Sequence, residues 1–406
     1  MTTVRLTVGA PAHGGHCVAR HDNRVIFVRH ALPGEVVDAE LTDSDEGATF
    51  WRADAVKIIE ASPDRVDSAW PEAGAGGVGG GELAHVALSA QREWKLAVLR
   101  ESFERFAKRD FPGTITAAPS DDARGGLGWR TRVGAIADSE GRAAMHLFRS
   151  KSIATLTSMP LAVPAAEQAL LSQRFPGGSA IQVAVPTDGQ ARVLVDGMRW
   201  NAGKRDTRDN APANVSQVVE VDGQSYEYRV ATGGFWQVHT DAPALLVGEV
   251  LRRTGDVQSV WDLYAGAGLF SVPLATAGKR VISVDEDEVA SKNARRNLHS
   301  FDSATVLQGD VRKTIGAAAS NPEYALGEDT AVVLDPPRSG AGRATLDGIG
   351  ALGARRLVYV ACDPVALARD TALLAERGYA LTEAQAFDLF PMTHHVETIA
   401  TFDRVS

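Results

Sequence analysis

From about Tyr226 to the C-terminus, short apolar runs alternate with helical patterns, and this rhythm constrains the fold more than any other feature of the chain. Strands that alternate with helices build a mostly parallel sheet covered by helices. Val260–Leu263, Arg280–Val284, Thr305–Leu307, Ala331–Leu334 and Leu357–Val360 read as strands. Helices are expected over Leu269–Ala277 and Glu288–Leu298, and Pro364 opens another. Thr398–Phe402 reads as a closing edge strand. Open α/β sheets keep their chemistry at the carboxyl ends of the strands. Those ends carry Asp262–Gly268, Asp285, Asp310, Asp335 and Cys362.

Upstream the pattern changes. Within residues 1–60, Val4–Val8, Cys17–Ala19, Val25–Val28, Glu35–Leu41 and Thr49–Ile59 are strand-like runs separated by turns such as Asp22-Asn23 and Pro33-Gly34. Their regular spacing predicts a small all-β barrel of the OB-like kind. Residues 71–81 are so rich in glycine that a linker is expected. Leu88–Arg109 is helical with an imperfect apolar face, and could pack on the C-terminal half. Residues 127–225 read as strands joined by turns, with one helix near Ala165–Arg174. The expected organisation is a barrel over 1–60, a central α+β domain over 61–225, and a Rossmann-like α/β domain over 226–406.

Two cysteines, Cys17 and Cys362, exclude a disulfide framework and a four-cysteine metal site. No apolar run is long enough to span a bilayer, and the N-terminus lacks the apolar core of a signal peptide. A cytoplasmic protein with no membrane association is expected. The net charge of −9 argues mildly against bulk nucleic-acid binding. Basic residues nevertheless prevail between Gln91 and Lys151. That stretch suits either a phosphate-facing surface or a solvated helix face with paired charges.

Asp262-Leu-Tyr-Ala-Gly-Ala-Gly268, between a strand and a helix, is a nucleotide-site turn. Gly266 and Gly268 let the backbone approach a ligand closely. The third glycine of a dinucleotide fingerprint would fall at Ser271, which weakens an NAD reading. Asp285 can hold a ribose diol, Asp310 an adenine amino group and Asp262 the amino end of a methionine moiety. S-adenosylmethionine, with one adenosine and no pyrophosphate, suits these positions better than NAD. The bland alternative is a glycine turn that only packs helix on strand.

Tyr359-Val-Ala-Cys-Asp-Pro364 places a thiol at a strand end beside a helix N-terminus, where its pKa can be lowered. It is either a nucleophile or a small buried residue. Asp335-Pro-Pro-Arg338 is a stiff loop with a charged residue at a strand end, and Glu397 precedes the last strand. These segments resemble the RNA 5-methyluridine methyltransferases. The closing segment Phe390-Pro-x-Thr-x-His-Val-Glu397 matches that family's pattern at every fixed position. Gly233-Gly-Phe-Trp-Gln237 resembles its glutamine motif, and the N-terminal barrel resembles its RNA-binding TRAM domain. Ala361 and Asp363 stand where serine and asparagine are usual, and Leu269 stands where asparagine is usual.

The resemblance implies S-adenosylmethionine as cofactor, bound by Gln237, Asp262, Tyr264, Gly266, Gly268, Leu269, Asp285, Asp310 and Asp335. It implies Cys362 as nucleophile toward uracil C6 and Glu397 as the base that removes the C5 proton. Among the catalytic residues it implies, Arg338 and Gln237 would hold the base edge and stabilise charge on its carbonyl oxygens, and Asp335 would lie between cofactor and base. Many members hold an iron–sulfur cluster with cysteines at positions that correspond here to the neighbourhood of Trp70, to Val78, to Gly81 and to Met159. A cluster-free member is therefore expected, with Cys17 structural. The expected partner is transfer RNA or large-subunit ribosomal RNA, with no obligate protein partner and no metal. The rival readings are a cytosine-C5 RNA methyltransferase, an NAD-dependent oxidoreductase and a non-catalytic RNA-binding protein.

Overall fold

Five N-terminal strands close on themselves in the order β1-β2-β3-β5-β4. They are β1 (Thr3–Ala12), β2 (His16–His21), β3 (Arg24–Arg29), β4 (Val36–Asp43) and β5 (Phe50–Glu60). Closure leaves no free sheet edge. Leu6, Val8, Ile26, Val28, Val37 and Ala53 point inward along the alternating strands and are buried. Cys17 is fully buried among them, and its Sγ–H donates to the Ala31 carbonyl at 3.5 Å. The computed structural model describes residues 2–201, 203–208, 213–318 and 329–405.

Helix α1 (Leu88–Ser102) runs on into a π turn over Phe103–Ala107. Trp94 and Val98 of this helix join the barrel core, while Leu96, Leu99 and Phe103 join the core of the C-terminal sheet. Its face looks imperfect in the sequence because it serves two cores at once. Strand β6 (Ile115–Ala117) follows, and then a seven-stranded sheet ordered β13-β12-β11-β10-β7-β8-β9. Its strands are β7 (Arg132–Ala137), β8 (Ala143–His146), β9 (Ile153–Thr155), β10 (Ala180–Ala184), β11 (Arg192–Val195), β12 (Met198–Asn201) and β13 (Lys204–Arg205), with helix α2 (Pro164–Leu171) between β9 and β10.

Part of the basic stretch is spent on contacts within the protein, while Arg100, Arg105, Lys108, Arg109, Arg149 and Lys151 are exposed. Lys95 is buried and donates to Asp388 and to the Phe390 carbonyl. Arg92 pairs with Asp122 and Asp388, and Arg142 with Asp138. Arg132 donates to the carbonyls of Thr232 and Gly234. These four residues hold elements together.

Residues 71–81 are not the expected linker. Trp70, Val78 and Met159 are buried in one apolar cluster, and Gly81 is buried beside them. A Cβ at Gly81 would lie 2.7 Å from the Ala73 Cβ and 3.1 Å from the Trp70 ring. The Glu72 carboxylate accepts from Thr157 and Ser158 and from the Trp70 indole, which ties the glycine-rich turn to the 157–158 segment. The four positions discussed above therefore meet in space, and an indole, an isopropyl group and a thioether fill the volume between them. Trp70→Ala is expected to cost about 3–5 kcal/mol, the scale for deleting a buried tryptophan. Urea denaturation of the purified protein measures it.

The hairpin β14 (Asn214–Val221) and β15 (Gln224–Ala231) packs Val215, Val219, Tyr228 and Val230 against the C-terminal core. A boundary at Tyr226 would cut this hairpin, so the C-terminal unit begins before it. Helix α3 (Ala242–Thr254) leads into β16 (Ser259–Leu263), α4 (Ser271–Thr276), β17 (Arg280–Asp285), α5 (Glu288–Asn297), β18 (Ala304–Gln308), α6 (Val311–Ala318), β19 (Thr330–Leu334), α7 (Gly342–Leu352), β20 (Arg356–Ala361), α8 (Pro364–Ala375), β21 (Tyr379–Asp388) and β22 (Glu397–Arg404). The sheet order is β18-β17-β16-β19-β20-β22-β21-β6, with β16 to β20 parallel to one another.

The last strand is not at the edge. β22 inserts antiparallel between β20 and β21, and all of Glu397–Phe402 is buried. A strand covered on both faces carries a near-continuous apolar run and no alternation. Val396 and Thr398–Phe402 have that character. Among the described residues, no helix is long and apolar enough to cross a membrane.

Candidate active site

The thiol and the late carboxylate lie on neighbouring strands. The β20–β22 ladder ends with Ala361 opposite Thr398. One step further in the same register stand Cys362 and Glu397. Directly opposed residues of an antiparallel pair project to the same face, with Cβ atoms roughly 5 Å apart. The adjoining β19 pairs Leu334 with Tyr359 and so delivers Asp335 to the same edge. Arg338 sits in the exposed turn that follows and donates from Nη2 to His395 Nε2 at 3.2 Å.

Burial pushes the Cys362 thiol up to about 12, with Glu397 and Asp335 acting in the same direction and Arg338 opposing them. The expected lowering by the helix N-terminus is thus overturned. Burial is the main reason, and Asp363 adds to it: its Oδ1 accepts the Ala366 N–H at 2.8 Å, so a carboxylate already caps α8. Burial, then the Asp335 charge, raises the Glu397 carboxyl well above the usual carboxylate range. Glu397 is 3% exposed, and its Oε1 has no hydrogen-bond partner. Three acidic groups thus crowd one desolvated corner, and they cannot all be ionised together.

The glycine turn lies two strands away. Asp262 is fully buried at the end of β16, and Oδ2 accepts from Ser271 Oγ at 2.5 Å. Ser271, which reads in the sequence only as a missing glycine, therefore clamps this carboxyl. Asp262 Oδ1 is left without a partner. Burial raises the group to about 7, against the Ser271 bond. Tyr264, Gly266 and Gly268 all have positive φ, at 61°, 57° and 92°. Positive φ in a tyrosine is strained and tends to mark ligand sites. Asp285 accepts the N–H of Gly266 through Oδ2 and that of Asp287 through Oδ1, each at 2.8 Å.

A narrow cleft lined by Phe235, Gln237, Tyr264, Leu269 and Asp335 adjoins a cavity of about 770 Å³ that reaches Asp285 and Asp287. Phe235, Gly266 and Ala267 line both. Gln237 Nε2 donates to Asp335 Oδ2 at 3.4 Å. The Leu269 side chain forms wall, and its carbonyl accepts from Tyr228 Oη at 2.9 Å. Asp310 stands apart from both spaces. It caps α6 through the Lys313 N–H and pairs with Arg312, so its carboxylate is already engaged by its own helix. Among the described residues, no group of His, Cys, Asp or Glu has the geometry to hold a metal ion.

Residues 323–405, which carry Asp335, Cys362 and Glu397, match the family model described as tRNA (Uracil-5-)-methyltransferase, and residues 1–56 match that of the TRAM domain. A Bifidobacterium longum protein described as an uncharacterized RNA methyltransferase is 40% identical over 97% of this chain and 95% of its own length. The chain belongs to the RNA (uracil-C5) methyltransferase family. The 23S rRNA (uracil(1939)-C(5))-methyltransferase RlmD of Shewanella amazonensis is 29% identical over 99% of the chain and 96% of its own length. The crystal structure of the Pyrococcus abyssi tRNA (uracil-54, C5)-methyltransferase, in complex with S-adenosyl-L-homocysteine, has the same fold. It superposes with a TM-score of 0.69 over 97% of this chain and 100% of that one, at 20% identity.

In this methyltransferase, two functional contacts escape the sequence. The first is His395, which accepts from Arg338. Burial, then the charges around it, lowers His395 to about 3, so Nε2 is free to accept. The spacing of a His-His-Val-Glu segment gives no hint of an arginine from another loop. The second contact is His13 of the barrel, whose Nε2 lies 3.3 Å from Asp363 Oδ2.

The crowded carboxyls have a consequence for stability. Burial, then the Asp262 charge, raises Asp335 to about 7, against about 3.9 for an unfolded aspartate. Between those values the native state binds more protons than the unfolded chain, so stability is lost as pH rises across that window. Asp335→Asn is expected to stabilise the enzyme by about 1–2 kcal/mol at pH 8 and by little at pH 4. Denaturant titrations at the two pH values check this.

Proposed function

We propose that the enzyme methylates C5 of a uracil in RNA, with S-adenosylmethionine as methyl donor and a transient bond from Cys362 Sγ to uracil C6. The observation that carries this reading is the continuation of the β20–β22 register to Cys362 and Glu397, at the edge that also presents Asp335. The residues around the glycine turn fit the cofactor. Asp262 Oδ1 is a buried acceptor without a partner, suited to an ammonium group, and Asp285 is suited to a ribose diol. Gly266 and Gly268 supply the close backbone approach, with Tyr264 and Leu269 as walls. When bound, S-adenosylmethionine supplies an electrophilic methyl group.

Uracil C5 is a poor nucleophile until C6 is saturated. Cys362 Sγ loses its proton to solvent and, as the thiolate, adds to C6; the C5–C6 electron pair moves onto C5 and the C4 carbonyl oxygen, which makes C5 enolate-like and able to take the methyl group. Arg338 is the cation that favours the ionised thiol and the developing charge on the uracil carbonyl. Gln237, held by Asp335, reaches toward the base edge. Glu397 then accepts the C5 proton, the C6–S bond breaks and the thiolate departs. A uracil in folded RNA must leave its stack to reach this corner. The barrel is the element we assign to RNA binding outside the cleft.

Ribosomal RNA is supported by the Shewanella relative, and transfer RNA by the family description. The experiment is nucleoside mass spectrometry on RNA from a strain that lacks the gene. Loss of 5-methyluridine from one RNA class, restored by the wild-type gene, is expected. Loss of 5-methylcytidine instead would establish the cytosine alternative, and no change in either would contradict the proposal.

A further inference from the structure

We infer that His13, contributed by the N-terminal barrel, is a positioning residue of the active site that holds Asp363 and thereby sets the reactivity of Cys362. The inference rests on the reading of Cys362 as nucleophile. It goes beyond that reading by making the barrel a wall of the reaction centre as well as an RNA-binding appendage. Asp363 follows the nucleophile directly and does two jobs. Oδ1 caps α8 through the Ala366 N–H at 2.8 Å, and Oδ2 is 3.3 Å from His13 Nε2. His13 lies in the turn between β1 and β2, more than 300 residues away in sequence.

The turn is built to reach that place. Gly14 and Gly15 both have positive φ, at 90° and 75°. A Cβ on Gly15 would lie 2.8 Å from the Glu82 Cβ and 3.3 Å from the His394 Cβ, so only glycine lets the turn seat there. His394 meets the His13 ring edge-on at 6.0 Å, and its Nδ1 is 3.3 Å from Glu82 Oε2. His394 in turn lies 4.0 Å from the ring of His395, which accepts from Arg338. The barrel turn thus touches both sides of the reaction centre: the nucleophile's neighbour and the segment that ends in Glu397.

The electrostatic consequence follows from proximity. Four charged groups face the thiol: Glu397, Asp335 and Asp363 disfavour its ionisation, and Arg338 favours it. Burial would raise Asp363, but the bond from His13 and the helix amide hold it below the usual carboxylate range. With His13 absent, Oδ2 loses its partner while Oδ1 stays on the helix amide, and the carboxylate charge bears on Cys362 with less compensation.

The test uses the full-length enzyme and iodoacetamide. Cys17 is fully buried, so alkylation reports Cys362. For His13→Ala, the alkylation rate near neutral pH is expected to fall roughly threefold, corresponding to a shift of about half a pKa unit. Turnover should fall while the apparent KM for RNA changes little. His13→Gln retains a donor toward Asp363 and is expected to recover most of the rate. In an Asp363→Asn background, His13→Ala should have no further effect on alkylation. Unchanged alkylation in His13→Ala, or the same loss with and without Asp363→Asn, would overturn the inference. Because alkylation needs neither RNA nor turnover, its outcome is independent of whether Cys362 bonds to uracil. Cys362→Ala that kept full methylation would sink the mechanism and leave the alkylation result intact.

Discussion

Cys362→Ala is expected to abolish methyl transfer, with kcat falling roughly 10⁴-fold or more, the scale seen when a covalent nucleophile is removed. S-adenosylmethionine should still bind, because its proposed contacts come from the glycine turn, Asp262 and Asp285, two to three strands away. Equilibrium dialysis with labelled cofactor separates the two effects. The wild-type free enzyme should also show thiol alkylation that climbs steadily through the alkaline range, since burial and the neighbouring carboxylates hold the thiol at about 12. A plateau near pH 7 would mean that the thiol is not buried beside these carboxylates as the structure has it.

Glu397→Ala should do something different in kind. Thiol addition and methyl transfer do not need this carboxylate, but release of the C5 proton does. The variant is expected to accumulate a covalent, methylated RNA–protein species in near-stoichiometric yield, seen as a slowly migrating band on a denaturing gel. Multiple turnover should fall by roughly 10²–10⁴-fold, the contribution typical of a positioned general base. Rapid release of methylated RNA would point to another base, and Asp335 is the group near enough to serve.

The C-terminal sheet was legible because each strand is a short apolar run that stops at a polar or reactive residue. That punctuation located Asp262, Asp285, Asp335 and Cys362 before any coordinate. Two things were less legible, for physical reasons. The interior place of β22 depends on chain reversal after α8, although the unbroken burial potential of Thr398–Phe402 is a usable signal. The glycine-rich 71–81 segment looks unstructured in composition, yet Glu72 and Trp70 pin it by contacts with residues 157–159 that no local pattern reveals.

The thiol's electrostatics ran opposite to expectation because burial and the Glu397 and Asp335 carboxylates outweigh the helix N-terminus, which Asp363 already caps. The sequence shows an aspartate there, and a capping aspartate before Pro364 was readable. Its link to His13 was not, since the two residues meet only through the docking of the barrel. The placement of Arg338 by His395 has the same character. Contacts between distant segments decide how the reactive groups behave, while the strand ends decide which groups are present.

The most direct measurement is the mass of the peptide that contains residue 362, taken from Glu397→Ala enzyme after incubation with substrate RNA and S-adenosylmethionine and digestion by protease and nuclease. The account predicts a 5-methylated uridine nucleotide attached to Cys362. Free methylated RNA with an unmodified Cys362 peptide, or attachment at any other residue, would contradict it.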